Sequence, residues 1–384
     1  MHRIKNIFLI SAILLLWACI KSYNPQIDAN AQDKYVVSGR ITDQEGWQDV
    51  EVSLSSPIES PEYIPVSACQ VKVIDDKGNS FSLDEYKPGQ YHVWMGKEYL
   101  SAGTSYQVRV ITPEGEELVS GFDRMQACPP VDSVYYYVKD IPKYNPPGTA
   151  RVMQFYVNLN AIGSYSQYYK WEVVETWEYN VAHPVEYYYD GDFHQIYPPD
   201  YSNYTCWTTN FVKNVFTIST KNLTQNIYKQ YPLHYIDGRS SRLGILYSIL
   251  VNQFALSEEA YNYWEQLRIN SNEQGGLYEK QPLAIKGNLQ NVSNPGKDVL
   301  GYFYAASVSD KRYFYKDIQG IDLNFNNFCS EDSLGRFGWQ EFTPDNYPVY
   351  YYYNETGMLR ILNYECVDCR RIGGTTVKPD FWPK

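Results

Sequence analysis

Histidine is scarce in this chain, with five in 384 residues. His2 belongs to an N-terminal leader and His92 alternates within a strand pattern, so His183, His194 and His234 remain to move protons near neutral pH. None of them sits in a His-Glu-x-x-His zinc motif, and the chain also lacks a Gly-x-Ser-x-Gly nucleophile elbow and a Gly-rich phosphate loop. Those gaps exclude zincin, elbow-hydrolase and P-loop chemistry and give no reason to expect a cofactor. Basic charge is short as well. The 33 basic residues against 44 acidic ones leave a net charge of −11 and no basic run, a surface that repels phosphate backbones; nucleic acid is not an expected partner. No apolar stretch approaches the roughly 20 residues that cross a bilayer as a helix, and no repeat of solenoid or propeller length is present.

What is there begins with a short apolar run, Ile7 to Ala18, preceded by Arg3 and Lys5. This is the pattern of a signal peptide over residues 1–18. Leu16, Trp17, Ala18 and Cys19 resemble a bacterial lipobox, which predicts a lipid on Cys19 and a mature N-terminus there; a plain secretory cut after Ala18 is the alternative. Trp17 stands where such a box usually has a small residue. Residues 19–34 are polar and aperiodic, a flexible tether that can span about 50 Å when extended.

From Tyr35 the residues alternate: Tyr35, Val37 and Ile41; Val50, Val52 and Leu54; Cys69, Val71 and Val73; Tyr106, Val108 and Val110. Turn signals "DDKGN", "KPGQ" and "TPEGEE" separate them, so residues 35–127 read as an immunoglobulin-like or carboxypeptidase-regulatory-like β-sandwich of about seven strands. "CPPVDSV" at 128–134 reads as a boundary, and residues 128–384 as a larger β-rich domain. Its expected strands lie at 151–158, 168–179 (apolar on both faces and therefore central), 204–219, 244–254, 299–308 and 311–316. One helix is predicted near 257–270, where Ser257 caps, Glu258 and Glu259 suit the positive end, and Ala260, Tyr263, Trp264 and Leu267 form a stripe. The fold class is thus mainly β.

Six cysteines follow Cys19, and an even set in an exported chain favours disulfides. Cys69 shares the inward parity of Val71 and Val73, and Cys128 lies where the chain leaves the sandwich, so these two are expected to pair. Cys206, Cys329, Cys366 and Cys369 are expected to staple the second domain, with connectivity open. The Cys366-x-x-Cys369 spacing also offers half of a zinc site with Cys206 and Cys329, whereas a thioredoxin-like role lacks the βαβ pattern it needs.

Tyrosine is the excess: 39 residues, gathered at 134–138, 186–190 and 349–354. Most can line pleated sheets. In Glu186 to Trp207, however, Gly191 and Pro198-Pro199 interrupt pairing, and the four tyrosines Tyr350 to Tyr353 must point to both sides of any strand. Tyr187, Tyr188, Tyr189, Tyr197, Tyr201, Trp207, Tyr350, Tyr351, Tyr352 and Tyr353 are therefore the candidate binding residues, with Phe193 and Tyr204 in the same stretch. His183, Glu186, Asp190, Asp192 and His194 fall close together and form a weak candidate metal loop, for calcium or a transition metal, against the reading of a solvated hairpin.

Four stretches, "SEEAYNYWEQL", "IKGNLQNV", "VLGYFYAASVSDKR" and the terminal "CVDCRRIGGTTVKPDFWPK", resemble Bacteroidota lipoproteins grouped as domain of unknown function 4249. The resemblance implies an outer-membrane lipoprotein, often encoded beside a TonB-dependent receptor, that serves nutrient uptake. The family has no assigned reaction. Surface-exposed lipoproteins of that phylum commonly carry an acidic run after the lipid cysteine; here Ile20, Lys21, Ser22 and Tyr23 follow, so the periplasmic or extracellular face is left open. In the matched stretches Gly287 and Gly301 suit close backbone approach, Asn288 is expected to bond its own backbone, and Phe381 and Trp382 are expected to close over the core as a C-terminal latch. Two function classes follow: a non-catalytic partner of a receptor, binding a glycan or peptide, or a surface hydrolase acting on glycans or peptides.

Overall fold

The computed structural model describes residues 34–56, 61–144, 147–163, 165–272, 285–321, 323 and 328–384, so Cys19 and the signal peptide expected before it lie outside the described residues. The protein is mainly β, with one α-helix among the described residues, Glu258–Asn272.

In the first 90 described residues the alternating valines do what their spacing dictates. Val37, Ile41, Val50, Val52, Val71, Val73, Val108 and Val110 are all buried in one core, each contributing about 1.5 to 3 kcal/mol by leaving water. The strands run Tyr35–Thr42, Gly46–Leu54, Gln90–Met95, Ser80–Lys87, Gln70–Asp75, Ser105–Ile111 and Glu117–Ser120 in spatial order. Ser80–Lys87 pairs on both sides and is where the sheet folds over, so that its halves enclose the core as a sandwich. At the "DDKGN" turn the Asp75 carboxylate accepts from the amides of Lys77 and Asn79, and Gly78 takes the left-handed conformation.

The central strand of the second half is Tyr168–Asn180, paired with Leu246–Ala255 on one side and with Thr205–Phe211 and Phe216–Ser219 on the other. Both edges are paired, and apolar side chains such as Tyr169, Trp171, Val173 and Val174 are buried along it, interrupted by the charged Lys170, Glu172 and Glu175. A three-stranded sheet, Ser133–Tyr144, Pro147–Asn160 and Ile227–Asp237, packs Met153, Phe155 and Val157 against Trp171, Val173, Tyr247 and Ile249. The helix covers another part of the sheet, with Ala260, Tyr263 and Trp264 against Phe254, Tyr302 and Tyr304. Its first turn is capped as expected: the Ala260 amide donates to Ser257 Oγ at 3.1 Å.

Residues 299–316 were expected as two strands. They contain one long strand, Phe303–Tyr315, running unbroken through Asp310 and Lys311, whose exposed side chains give the polar interruption in the sequence. Its start pairs in parallel with the first sandwich, from Gly39 with Phe303 to Thr42 with Ala306. The remainder pairs antiparallel with Leu246–Ala255. The preceding segment also returns to the first sandwich, where Leu289–Asn291 pairs with Glu117–Ser120. Gly287 and Gly301 make this return possible: a Cβ on Gly287 would lie 1.8 Å from the Gly301 oxygen, and one on Gly301 would lie 2.1 Å from the Val37 oxygen. Asn288 does not bond its own backbone; it clamps the amide and carbonyl of Phe303 at 3.0 and 2.7 Å.

The cysteines correct the expected pairing. Cys69 is a free thiol in the first core, facing the Val66 carbonyl, and Cys128 is a free thiol facing the Gln253 carbonyl in the second half. By residue 128 the chain has already crossed to the other core, which separates the two sulfurs. Burial pushes the Cys128 thiol up to about 12. The other four form Cys206–Cys369 and Cys329–Cys366. The Cys-x-x-Cys pair is thus split between two bridges, which removes both the zinc and the thioredoxin-like readings.

At the C-terminus Trp382 is buried, with its Nε1 donating to Glu178 at 2.8 Å and its ring edge-on to Phe314. Phe381 stays half open, beneath the Arg312 guanidinium at 3.6 Å. The latch is one residue, not two.

Candidate binding face

The two tyrosine-rich stretches, about 160 positions apart in sequence, form adjacent strands. Val185–Tyr189 and Val349–Tyr353 pair antiparallel, with Tyr187 opposite Tyr351, Tyr188 opposite Tyr350 and Tyr189 opposite Val349. Phe193–Asp200 flanks one side, and Leu359–Leu362 followed by Glu331–Ser333 the other, making a five-stranded sheet. The period of two divides the aromatic residues between faces.

On one face Tyr189, Phe193 and Tyr351 surround Trp339, which arrives on the short helical turn Gly338–Glu341, with Tyr187 and Tyr353 beside Tyr351. Ring centroids lie 4.8 Å from Trp339 to Tyr189, 5.0 Å to Phe193 and 5.1 Å to Tyr351, and Tyr187 stacks on Tyr351 at 5.3 Å. Such contacts fix the rings at little entropic cost. Tyr351 is buried beneath them, while Phe193 and Tyr353 keep 60% and 52% of their surface open. Tyr197, at 89%, and Tyr201 are exposed beyond.

The opposite face is built of polar contacts. His194 stacks on Tyr188 at 4.5 Å and its Nε2 lies 2.9 Å from Asp190. His183 Nε2 lies 3.2 Å from Glu331, and the Tyr352 hydroxyl donates to the same carboxylate at 2.6 Å. The Tyr352 bond first, and His183 after it, hold the Glu331 carboxyl below the ordinary carboxylate range against its partial burial. Tyr350 packs edge-on to Tyr364 above the Cys329–Cys366 bridge, with Leu362 and Val367 beneath.

The candidate metal loop does not assemble. His194 turns to Asp190 and His183 to Glu331, a residue outside the loop, so the two histidines do not converge on one site. Among the described residues the one trio with ligand atoms within 4.8 Å is His183, Cys329 and Glu331, and Cys329 is committed to a disulfide. Of the ten candidate binding residues, nine lie in this sheet or the loop that leaves it. Trp207 does not: it belongs to Thr205–Phe211 of the large sheet and bridges Thr375. Trp339 and Phe342 were missed, although "RFGWQEF" interleaves three aromatics in seven residues, a signal of the same kind as the tyrosine runs.

A family model described as "Domain of unknown function (DUF4249)" matches residues 20–312. No curated protein matches. Twelve chains of solved structures match. One is trypsin-activated alpha-2-macroglobulin from Escherichia coli, 9% identical, with 59% of this chain and 15% of that chain covered and a TM-score of 0.20. The chain therefore spans a small part of that protein, and the likeness supports no statement about what this one does.

Proposed function

Starting from a chain that belongs to the DUF4249 family of unknown function, we propose that it is a lipoprotein of the Bacteroidota type, tethered to the outer membrane through Cys19. It acts there as a non-catalytic partner of a TonB-dependent receptor in nutrient uptake. The observation that supports this reading is the aromatic sheet: two distant tyrosine runs are brought together, locked ring on ring, and left with Phe193, Tyr197 and Tyr353 open at the rim. Interface energy concentrates in a few rigid aromatic anchors, often about 2 kcal/mol or more each.

Replacing Phe193, Tyr197 and Tyr353 together by serine tests the reading, since none of the three is buried. Co-purification of a TonB-dependent receptor with the tagged protein from native outer membranes is expected to fall at least tenfold, with the melting temperature unchanged. Undiminished receptor recovery removes the aromatic sheet as the docking face. Release of product from pooled glycans or peptides by the purified chain favours the surface hydrolase instead. A Cys19→Ala protein that still fractionates with outer membranes overturns the tether.

A further inference from the structure

A second built site lies outside the aromatic sheet, where the first sandwich meets the second half. The sheet is continuous there, and a cleft of about 580 Å³ opens over it between Trp47 and Tyr86 on one side and Trp264 of the helix on the other. The volume falls within the range of small-ligand sites.

Its floor carries charged groups held in place. Arg40 Nη1 and Lys170 Nζ both reach Glu172 Oε1, at 2.6 and 2.8 Å. Lys170 is 4% exposed and sits 3.5 Å over the Trp264 ring, while Arg40 keeps 40% of its side chain open. Burial alone would raise the Glu172 carboxyl, but Lys170 and Arg40 hold it below the ordinary range, so it remains an acceptor at neutral pH. On the wall, His92 is stacked between Trp47 at 4.0 Å and Tyr86 at 4.3 Å, with Trp94 edge-on to Trp47. Trp47 nevertheless leaves 56% of its surface open. An indole held by His92 and Trp94 yet more than half open is a fixed aromatic surface at the cleft, not core packing.

We propose that this cleft binds a neutral saccharide, one ring lying on Trp47 and its hydroxyls on the floor. Four features select that class. The lining carries Arg40 and Lys170 against Glu172, Asp49 and Glu51, a balance unfavourable to an anion. The cations lie at the bottom, which disfavours a cationic ligand. The floor is the face of a sheet, so its backbone groups are already paired and an extended peptide finds no free edge. Sugar hydroxyls both donate and accept, and the lining supplies guanidinium, carboxylate and the amides of Gln90 and Asn252 beside an aromatic plane. The inference does not depend on the receptor-docking role of the aromatic sheet.

The test is calorimetric titration of the chain from Ile20 onward with maltotriose, cellotriose, xylotriose and mannotriose, and with trigalacturonate and triglycine as the charged and peptide arms. At least one neutral trisaccharide is expected to bind, and Trp47→Ala to weaken it tenfold or more with an unchanged melting temperature. Tyr86→Ala, placed at the end of the same stack, is expected to weaken it less. The variant lacking Phe193, Tyr197 and Tyr353 rings is expected to bind the sugar normally, which separates the two sites. Binding of none of the neutral sugars, binding of the acidic sugar or the peptide alone, or a Trp47→Ala affinity within twofold of wild type overturns the proposal.

Discussion

Asp123 shows how one residue couples three elements. It leaves the first sandwich, accepts from the Ala305 amide of the long strand at 2.8 Å and from the Ser257 hydroxyl that caps the helix, and is buried. Burial pushes its carboxyl up to about 6, with Glu259 adding to the rise and the two hydrogen bonds opposing it. A raised carboxyl means that the folded state binds the proton more tightly than the unfolded chain. Its stabilising contribution is therefore fully present below the unfolded value of about 3.9 and is lost as pH rises through about 6. Because other carboxylates, Glu172 and Glu175 among them, are held low and act in the opposite sense, the measurement is a difference. Urea unfolding of wild type and Asp123→Asn is expected to show wild type losing about 2 kcal/mol relative to the variant between pH 4 and pH 7.5. A difference that stays constant over that range contradicts the assignment.

At the scale of single elements, strands with inward valines every second residue were legible because that signal is local. The pairing of elements was not. Nothing near Glu186 or Tyr350 states that the two tyrosine runs are neighbours, and the cysteine spacing, which favoured two bridges among Cys206, Cys329, Cys366 and Cys369, left open which sulfur meets which. The Cys329–Cys366 bridge closes its loop beside Leu362 and Val367, at the edge of the aromatic sheet. Constraining a loop of that length contributes about 2 to 4 kcal/mol. Replacing both cysteines by serine is expected to raise hydrogen exchange in Val349–Tyr353 and Leu359–Leu362 while leaving Tyr168–Asn180 protected. Equal loss of protection in the central strand would show that the small sheet is not a separately stabilised element.

For the whole molecule the decisive feature is the strand Phe303–Tyr315, which belongs to both cores. Phe303 and Ala305 are buried in the first, Tyr313 and Tyr315 pack on the second, and Tyr304 and Ala306 lie under the helix. The sequence pattern placed a boundary at "CPPVDSV", since proline pairs stop strands, and local punctuation carries no information that a strand some 175 residues later completes the sheet begun at Tyr35. A fragment of residues 34–127 would retain every alternating valine yet lack Leu289, Val299 and Phe303, all buried in its core, and would expose the edge of Tyr35–Thr42 that the long strand covers. Losing three such side chains removes about 5 to 9 kcal/mol of burial, comparable to the roughly 5 to 15 kcal/mol by which a domain is stable. The fragment is therefore expected to be unfolded or aggregated by circular dichroism and gel filtration, and residues 285–308 supplied in trans to restore structure. In the full chain, Phe303→Ala is expected to lower the unfolding temperature of both halves together, read by hydrogen exchange at Val71–Val73 and at Val173–Thr176. If the isolated fragment unfolds cooperatively at the same midpoint as the full chain, the first sandwich is complete without the returning strand, and the cleft that we assign to a saccharide is a junction between two independent bodies.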